Sequence, residues 1–435
     1  MRYVVFVLVF LVVGGLYLLA EYPSISGYGD APMCEGCNLV LVTMDTTRAD
    51  HLGLYGYDRD TSPFLDYLGN RSIVYERFYA PIPETNPSHA TMFTSKLPYI
   101  HRLQFNGQKL RDSETTLAEI LRGEGYDTVA FTSAKHLNPR TGLGQGFREF
   151  DYPKQKERKA TITTDIALDW LREKEQGRFF MWVHYFDPHY GYEPPTPFSF
   201  YEEGMDENTG KIARYDGEIR YVDSEVRRLF EYLEDENLLQ NTVFVVTADH
   251  GEGLGEHGYF WDHGDLLYED QLWVPLLIYV DGTRFNSGRV GQNTQLMPTL
   301  LEILDIRDEH SVAPSLFSEE GRGMLFFESD RCEKQKVSGC FPGKSIKGKS
   351  VAALKDDVKF IATPVRDGMR EELFDLRKDP GEGINRISNP GYEDIREELR
   401  TKALSVMKEV HNSDRDYIEV DNETLEVLKS LGYVN

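Results

Sequence analysis

The feature that most constrains the fold is a set of uncharged apolar runs that alternate with helix-like segments. Residues 38–44 read NLVLVTM, as expected of a strand that is buried on both faces of a sheet. Similar runs lie at 178–184 and 242–247, and the segments 161–174 and 219–239 between them have helical patterns. Strands that alternate with helices predict a parallel sheet covered by helices on both faces. The sequence therefore predicts an α/β fold.

Possible metal ligands follow these three runs. Asp45 comes directly after the first, Asp187 and His189 come after the second, and Asp249 and His250 come after the third. In open α/β sheets, ligands bind outside the carboxyl ends of the strands. A single Asp there is often only a turn residue or a helix cap, but three sets at three buried strands favour a shared site. Asp and His together suit a divalent ion such as zinc or manganese.

A glycine- and histidine-rich segment follows the third run. Residues 249–264 read DHGEGLGEHGYFWDHG, and glycine lets a loop turn sharply and approach a ligand closely. We interpret this loop as part of the site. His257 could have a structural role, whereas His263 is the better candidate for direct contact with a substrate.

Two hydroxyl residues precede what reads as a helix in the segment 81–98, PIPETNPSHATMFTSKLP. Thr85 and Ser88 could each be an N-cap residue. In the functional interpretation, one hydroxyl is a nucleophile activated by a metal, and the start of the helix binds an oxyanion.

The balance of charges excludes some functions. The chain has 48 Lys and Arg residues and 72 Asp and Glu residues, which gives a formal net charge of −24. We therefore predict no nonspecific binding to nucleic acid, which needs a basic surface. An anionic substrate would need a local cation, and a metal ion held by Asp and His would supply one.

The amino end contains an uncharged stretch, residues 3–20, that is about long enough to cross a bilayer. We predict a transmembrane anchor at 1–20, a linker at 21–37, and a single-pass protein of the cell membrane whose body lies outside the cytoplasm. A cleaved signal peptide, and hence a secreted protein, is the alternative. The four cysteines allow three pairings, of which Cys34 with Cys37 and Cys332 with Cys340 are the simplest.

Several ordered motifs resemble those of the sulfatase family in the alkaline-phosphatase superfamily. They read NLVLVTMDTTRADHLGLYGY, TNPSHATMFTS and TADHGEGLGEHG within 38–304, with a further trace, ELFDLRKDPGEGIN, at 372–385. The resemblance implies an alkaline-phosphatase-like sandwich, whose central, mostly parallel sheet is flanked by helices, plus a small C-terminal α+β subdomain. We expect the catalytic domain to span 38–310 and the subdomain 311–435.

The departures from the family pattern concern the nucleophile. Thr85 stands where true sulfatases carry a Cys or Ser that is converted to formylglycine, so no formylglycine is expected here. His89 stands where the family has Arg, and His263 stands near the position of a family Lys. A Thr nucleophile resembles the phospho-acting branches, which implies a metal held by four residues: Asp45, Thr85, Asp249 and His250.

We therefore predict a metal-dependent hydrolase of phosphate or sulfate esters, with phosphate esters favoured. The cofactor would be a divalent ion (Mn, Zn, Ca or Mg), with at least one ion expected and two as the alternative. The expected substrate is an anionic ester of a lipid, a glycan or a small molecule. A membrane-anchored phospho-group transferase acting on lipid or glycan, and an inactive binding module, are the alternatives. The predicted catalytic residues are Thr85 and His263, and the predicted substrate-binding residues are His89, Asp187, His189 and His257, of which Asp187 and His189 could instead hold a second metal.

Overall fold

A computed structural model describes residues 31–319, 323–329, 348–365, 368–413 and 418–430. The strands in this part of the chain are β1 (Asn38–Met44), β2 (Ile73–Tyr79), β3 (Gln108–Lys109), β4 (Asp127–Thr132), β5 (Glu149–Asp151), β6 (Phe179–Tyr185), β7 (Thr242–Thr247), β8 (Gly253–Leu254), β9 (Phe260–Asp262), β10 (Trp273–Val274), β11 (Leu276–Tyr279), β12 (Phe285–Gln292), β13 (Leu325–Glu328), β14 (Val351–Lys355), β15 (Val358–Val365), β16 (Gly368–Asp375) and β17 (Ile418–Glu419).

The α-helices of the same residues are α1 (Pro63–Gly69), α2 (Thr85–Thr94), α3 (Pro98–His101), α4 (Leu117–Gly123), α5 (Ala160–Glu173), α6 (Glu207–Asp235), α7 (Glu269–Leu272), α8 (Leu296–Ile303), α9 (Glu393–Ser413) and α10 (Asn422–Ser430). The long helix α6 begins earlier than its apolar periodicity predicts. Its start is fixed by Asp206, whose carboxylate accepts the backbone N–H groups of Asn208 and Thr209.

The predicted α/β architecture is confirmed. The large sheet has nine strands in the order β10-β2-β11-β7-β1-β6-β4-β5, with β12 beside β2. Strands β7, β1, β6, β4 and β5 run parallel to one another, whereas β11 is antiparallel to both β7 and β2. The sheet is therefore mixed at one side, because β11 returns directly after the loop that follows β7.

The strand β1 illustrates why its residues form a strand buried on both faces. Leu39 and Leu41 pack into one hydrophobic core, and the alternating Val40 and Val42 pack into a second core on the opposite face. Side chains of a strand alternate between faces, so a run without polar residues fits only a position with helices on both sides.

A second, antiparallel sheet with the order β13-β14-β15-β16 has α9 packed against β14 and β15. This arrangement agrees with the predicted small α+β element near the carboxyl end. The predicted domain boundary at residue 310 stays a prediction. A buried lysine, Lys359 on β15, joins this sheet to the rest of the protein through Glu269, whose carboxylate lies 2.8 Å from its Nζ atom, and Glu382, at 2.7 Å.

One prediction about the amino end needs correction. The segment 1–20 itself lies outside the described residues. In the part of the chain that the structure covers, none of the helices combines the length and the apolar character that crossing a bilayer requires. The longest, α6, carries many charged side chains. We therefore correct the prediction of a single-pass protein of the cell membrane, which this finding contradicts.

The cysteines near the amino end form the expected local pair. Cys34 and Cys37 are joined by a disulfide bond. Cys332 and Cys340 lie outside the described residues, so the second predicted pair stays a prediction.

Candidate active site

The carboxyl ends of three neighbouring strands bring the predicted ligands together. Strand β1 lies between β6 and β7, and all three are parallel. Thr43 is level with His184 of β6 and with Thr247 of β7, so the residues that follow these positions leave the sheet at one edge. The backbone N–H of Asp45 donates to the carbonyl of Tyr185 at 2.8 Å, which continues the pairing one residue past the strand.

Asp45, Asp249 and His250 form a buried cluster. One ligand atom of each lies within 4.8 Å of the other two, and all three residues are fully buried. Asp249 Oδ1 accepts the backbone N–H groups of Thr46 and His250, at 3.2 Å and 2.9 Å. Within the described residues, Asp249 Oδ2 and both carboxylate oxygens of Asp45 accept no hydrogen bond.

Buried carboxylate oxygens without hydrogen bonds are costly. Burial and the negative charge of Asp249 raise the pKa of Asp45 well above its usual value, and burial raises the pKa of Asp249 to about 6. A divalent cation between these groups would offset both effects. The side chains of Asp45, Asp249 and His250 therefore fit the metal site that the sequence predicts.

Thr85 is the first residue of α2 and faces this cluster. Its Oγ1 atom lies 3.4 Å from Nε2 of His250. His250 Nδ1 donates to the carbonyl of Gly251 at 2.8 Å, so its Nε2 atom carries the lone pair that points towards Thr85. Gly251 permits this turn, because a Cβ atom there would lie 2.1 Å from the carbonyl oxygen of Asp270.

Neither hydroxyl residue is the N-cap of α2, because that position is Glu84. The hydroxyl of Ser88 donates to the carbonyl of Asp249 at 2.6 Å and accepts from Asn293 at 2.9 Å. Ser88 is thus committed to structural contacts, and Thr85 is the hydroxyl that faces the ligand cluster. The backbone N–H of Asn86 is also bonded, to the side chain of Asn106. The predicted binding of an oxyanion at the helix start stays a prediction.

His263 and His189 extend the cluster on one side. The ring of His263 lies 4.2 Å from the ring of His250, and its Nδ1 atom is 3.1 Å from the carbonyl of Pro83. Its Nε2 atom is 3.3 Å from Nε2 of His189, whose ring stacks on Phe186. The structure therefore places Thr85, His250, His263 and His189 in one continuous series of contacts.

Two other predicted residues have different surroundings. His89 Nδ1 donates to the carbonyl of Thr85 at 2.8 Å, and its Nε2 atom is 3.1 Å from the hydroxyl of Thr43, so both ring nitrogens are engaged. His257 stacks on Tyr268 with 3.7 Å between ring centroids. The roles of His89 and His257 in substrate binding stay predictions, and their contacts here are structural.

Asp187 lies near a separate charged pair. Lys159 Nζ is 3.7 Å from its carboxylate and 3.2 Å from that of Glu218. Burial, followed by the negative charge of Glu218, raises the pKa of Asp187 to about 7. The role of Asp187 in the substrate pocket or at a second metal stays a prediction.

Two histidines at the site were missed by the sequence reasoning. His184 ends the apolar run at 178–184, and its Nε2 atom lies 3.2 Å from Asp45 Oδ2. His136 is fully buried with its ring 5.8 Å from that of Phe186. Burial and the charges of His189, His89 and His250 lower the pKa of His136 to about 3. The only signal for either was a histidine at or just after an apolar run.

Comparison with known proteins identifies the fold and the family. Among solved structures, the phosphonate monoester hydrolase of Agrobacterium radiobacter superposes with a TM-score of 0.69 at 19% identity, covering 86% of this chain and 96% of that one. An arylsulfatase of Clostridium perfringens is 24% identical over an alignment of 478 positions, which covers 88% of this chain and 96% of the relative. A Δ4,5-hexuronate-2-O-sulfatase of Bacteroides thetaiotaomicron is 20% identical over an alignment of 431 positions, which covers 84% of this chain and 88% of the relative.

The family model named Sulfatase matches residues 37–306, which is more than half of the chain and contains every residue of the cluster around Thr85. The predicted alkaline-phosphatase-like fold and the predicted ester hydrolase are thereby confirmed. The chain belongs to the sulfatase family of the alkaline-phosphatase superfamily.

Proposed function

We propose that this protein is a metal-dependent hydrolase of phosphate esters that uses Thr85 as its nucleophile. The observation that carries the proposal is the position of Thr85 Oγ1, which faces Nε2 of His250 at 3.4 Å beside two buried carboxylates. A divalent ion held there by Asp45, Asp249 and His250 would lower the pKa of the hydroxyl and stabilise the charge that develops on the ester.

Thr85 and the histidine pair would carry out the proton and group transfers. Thr85 releases its hydroxyl proton to solvent, its Oγ attacks phosphorus, and the bond from phosphorus to Oγ forms as the bond to the leaving oxygen breaks. Nε2 of His263 and Nε2 of His189 lie 3.3 Å apart, close enough to share one proton in one of their tautomers. We assign this proton to the leaving oxygen. Water then hydrolyses the Thr85 ester and restores the hydroxyl.

The charge of the protein does not oppose this function. The net charge of −24 would repel a phosphate ester at long range. The carboxylates nearest to Thr85 would be neutralised by the bound ion, so the site would attract an anion locally.

Hydrolysis of sulfate esters is the second candidate, because two of the relatives are an arylsulfatase and a hexuronate 2-O-sulfatase. The similar phosphonate monoester hydrolase supports the phospho-ester candidate. The presence of Thr85 at the nucleophile position favours the phospho-ester candidate. The formylglycine of true sulfatases carries an aldehyde, and a threonine side chain cannot be converted to that aldehyde.

A panel of aryl substrates separates the two candidates. We expect turnover of a phosphate monoester, a phosphate diester or a phosphonate to exceed turnover of the matched aryl sulfate by at least about tenfold in kcat/KM. The opposite ranking would establish a sulfatase. The variant Thr85→Ala should lose turnover while it keeps its metal content, and Thr85→Ser, which retains the hydroxyl, should keep activity. Full activity of Thr85→Ala would refute the assignment of Thr85 as the nucleophile.

A further inference from the structure

We propose that an aromatic platform beside the histidine pair binds a sugar ring or an aryl ring in the leaving group of the ester. The platform consists of the side chains of Tyr190, Phe260 and Trp261. This inference rests on the proposed function, in which the leaving oxygen takes its proton from His189 and His263, and it names the class of alcohol that is released.

The platform comes from the two loops that carry the histidine pair. Tyr190 directly follows His189 in the loop after β6. Trp261 lies on β9, two residues before His263. The two rings meet through Tyr192, whose ring centroid is 5.6 Å from that of Tyr190 and 6.3 Å from that of Trp261. Because the carbon skeleton of the alcohol begins at the leaving oxygen, side chains next to the histidine pair in both loops are in position to contact it.

Two rings of the platform are open to solvent. Tyr190 is 51% exposed and Phe260 is 41% exposed, whereas the adjoining Tyr192 is buried. The ring centroid of Phe260 is 6.0 Å from that of the half-buried Trp261. Adjoining aromatic rings in water form an apolar patch, and such patches mark binding sites. An aryl ring presents its π face and a sugar ring presents its C–H groups, so either ring can stack on this patch.

The backbone at Trp261 supports a functional role for its side chain. The pairing of β8 with β9 shifts between the pairs Gly253–Asp262 and Leu254–Phe260, so Trp261 is the extra residue of a β-bulge. Its φ angle is 57°, in the left-handed region that costs a bulky residue free energy. Glycine would adopt this conformation without strain. The side chain of Trp261, and not its backbone, therefore accounts for a tryptophan at this point, and bulges beside active sites commonly re-aim a side chain.

A lysine beside the platform favours a polar ring over an alkyl chain. The Nζ atom of Lys211, on α6, lies 4.9 Å from the ring centroid of Trp261 and 6.0 Å from that of Tyr190. Its ion pair with Glu207, at 3.0 Å, is a surface pair of the kind that contributes little. The ammonium group has three donors, so it can bind hydroxyl or carboxylate oxygens at the edge of a stacked ring. An alkyl chain would leave these donors unused.

Kinetics with phenyl phosphate, glucose 6-phosphate and ethyl phosphate test the platform, because leaving-group reactivity cancels when variant and wild type are compared on the same ester. We expect Tyr190→Ala and Trp261→Gly to lose about three- to tenfold more kcat/KM on a ring ester than on ethyl phosphate. The ring ester that shows this loss identifies an aryl or a sugar leaving group. Tyr190→Phe keeps a ring and should keep the wild-type preference, as should the matched control Tyr67→Ala, which removes a 52% exposed ring on α1. Equal losses on all three esters would overturn the proposal.

Binding to the Thr85→Ala variant gives a second measurement that needs no turnover. In calorimetric titrations, a ring ester should bind about three- to tenfold more tightly than ethyl phosphate, and adding Tyr190→Ala should remove this difference. Equal affinities for ring and ethyl esters would overturn the proposal. A wild type that hydrolyses none of the phosphate esters would instead refute the proposed function. The same binding comparison with the matched sulfate esters would then still decide the platform, so the two failures are distinguishable.

Discussion

The substitution Asp187→Asn should make the protein more stable above neutral pH, and the size of the effect follows from the surroundings of this carboxylate. Burial and the charge of Glu218 raise its pKa from 3.8 to about 7. At about 1.4 kcal/mol for each pH unit, this rise in pKa means that keeping Asp187 ionised costs the folded protein about 4 kcal/mol of stability. Asparagine has nearly the same shape and carries no charge, so it avoids this cost.

The sign of the pH dependence follows from proton binding. Between about pH 4 and pH 7 the folded wild type keeps a proton on Asp187 that the unfolded chain releases. The free energy of unfolding therefore falls as the pH rises through this interval and levels off above pH 7. In Asp187→Asn this decrease is absent, and Lys159 keeps Glu218 as its partner at 3.2 Å.

Urea denaturation at pH 5 and at pH 8 measures the effect. We expect Asp187→Asn to be more stable than wild type by about 1.6 kcal/mol at pH 5, where part of the decrease has already occurred, and by up to about 4 kcal/mol at pH 8. The matched control is Asp58→Asn, which changes an exposed aspartate. A variant that is less stable than wild type at pH 8, or that retains the full decrease between the two pH values, would refute the reasoning. If Asp187 also serves the substrate pocket, this gain in stability should accompany a loss of kcat/KM.

Three further predictions concern other parts of the protein. Lys359→Met should lower the free energy of unfolding by about 3–5 kcal/mol, measured in urea, because it leaves the buried Glu382 and the partly buried Glu269 without their cation. Gly251→Ala should cost about 1–3 kcal/mol and reduce metal content in elemental analysis, because its Cβ atom would overlap the carbonyl oxygen of Asp270 at 2.1 Å and displace the loop that carries His250. Removal of divalent ions with a chelator should lower Tm in differential scanning fluorimetry, since Asp45 and Asp249 then repel each other, and added metal should restore it. A Tm that does not respond to chelation or to metal would contradict the metal site.

The sequence predicted the parts of the site that follow directly from the sheet. Asp45, Asp249 and His250 interrupt apolar runs just where parallel strands end, and parallel strands end at one edge. Local patterns were sufficient here, because the buried strands have uniform composition and their boundaries are sharp.

Other parts depended on contacts that no local pattern encodes. His184 lies within its strand, and its contact with Asp45 depends on the register between β1 and β6. The pairing of His263 with His189 depends on two loops that are far apart in the sequence. The antiparallel direction of β11 was missed because an apolar run shows that a strand is buried and does not show its direction.

The order of strands in the large sheet has a consequence for local unfolding. The ligand-bearing strands β7, β1 and β6 are adjacent and lie inside the sheet, whereas β5 and β12 lie at its edges. Edge elements open at lower free energy than central ones. Amide hydrogen exchange should therefore be fast at β5 and β12 under conditions in which the ion stays bound. The residues that would hold the ion therefore follow strands that open only with the whole core, so the site should keep its geometry while the edges of the sheet open.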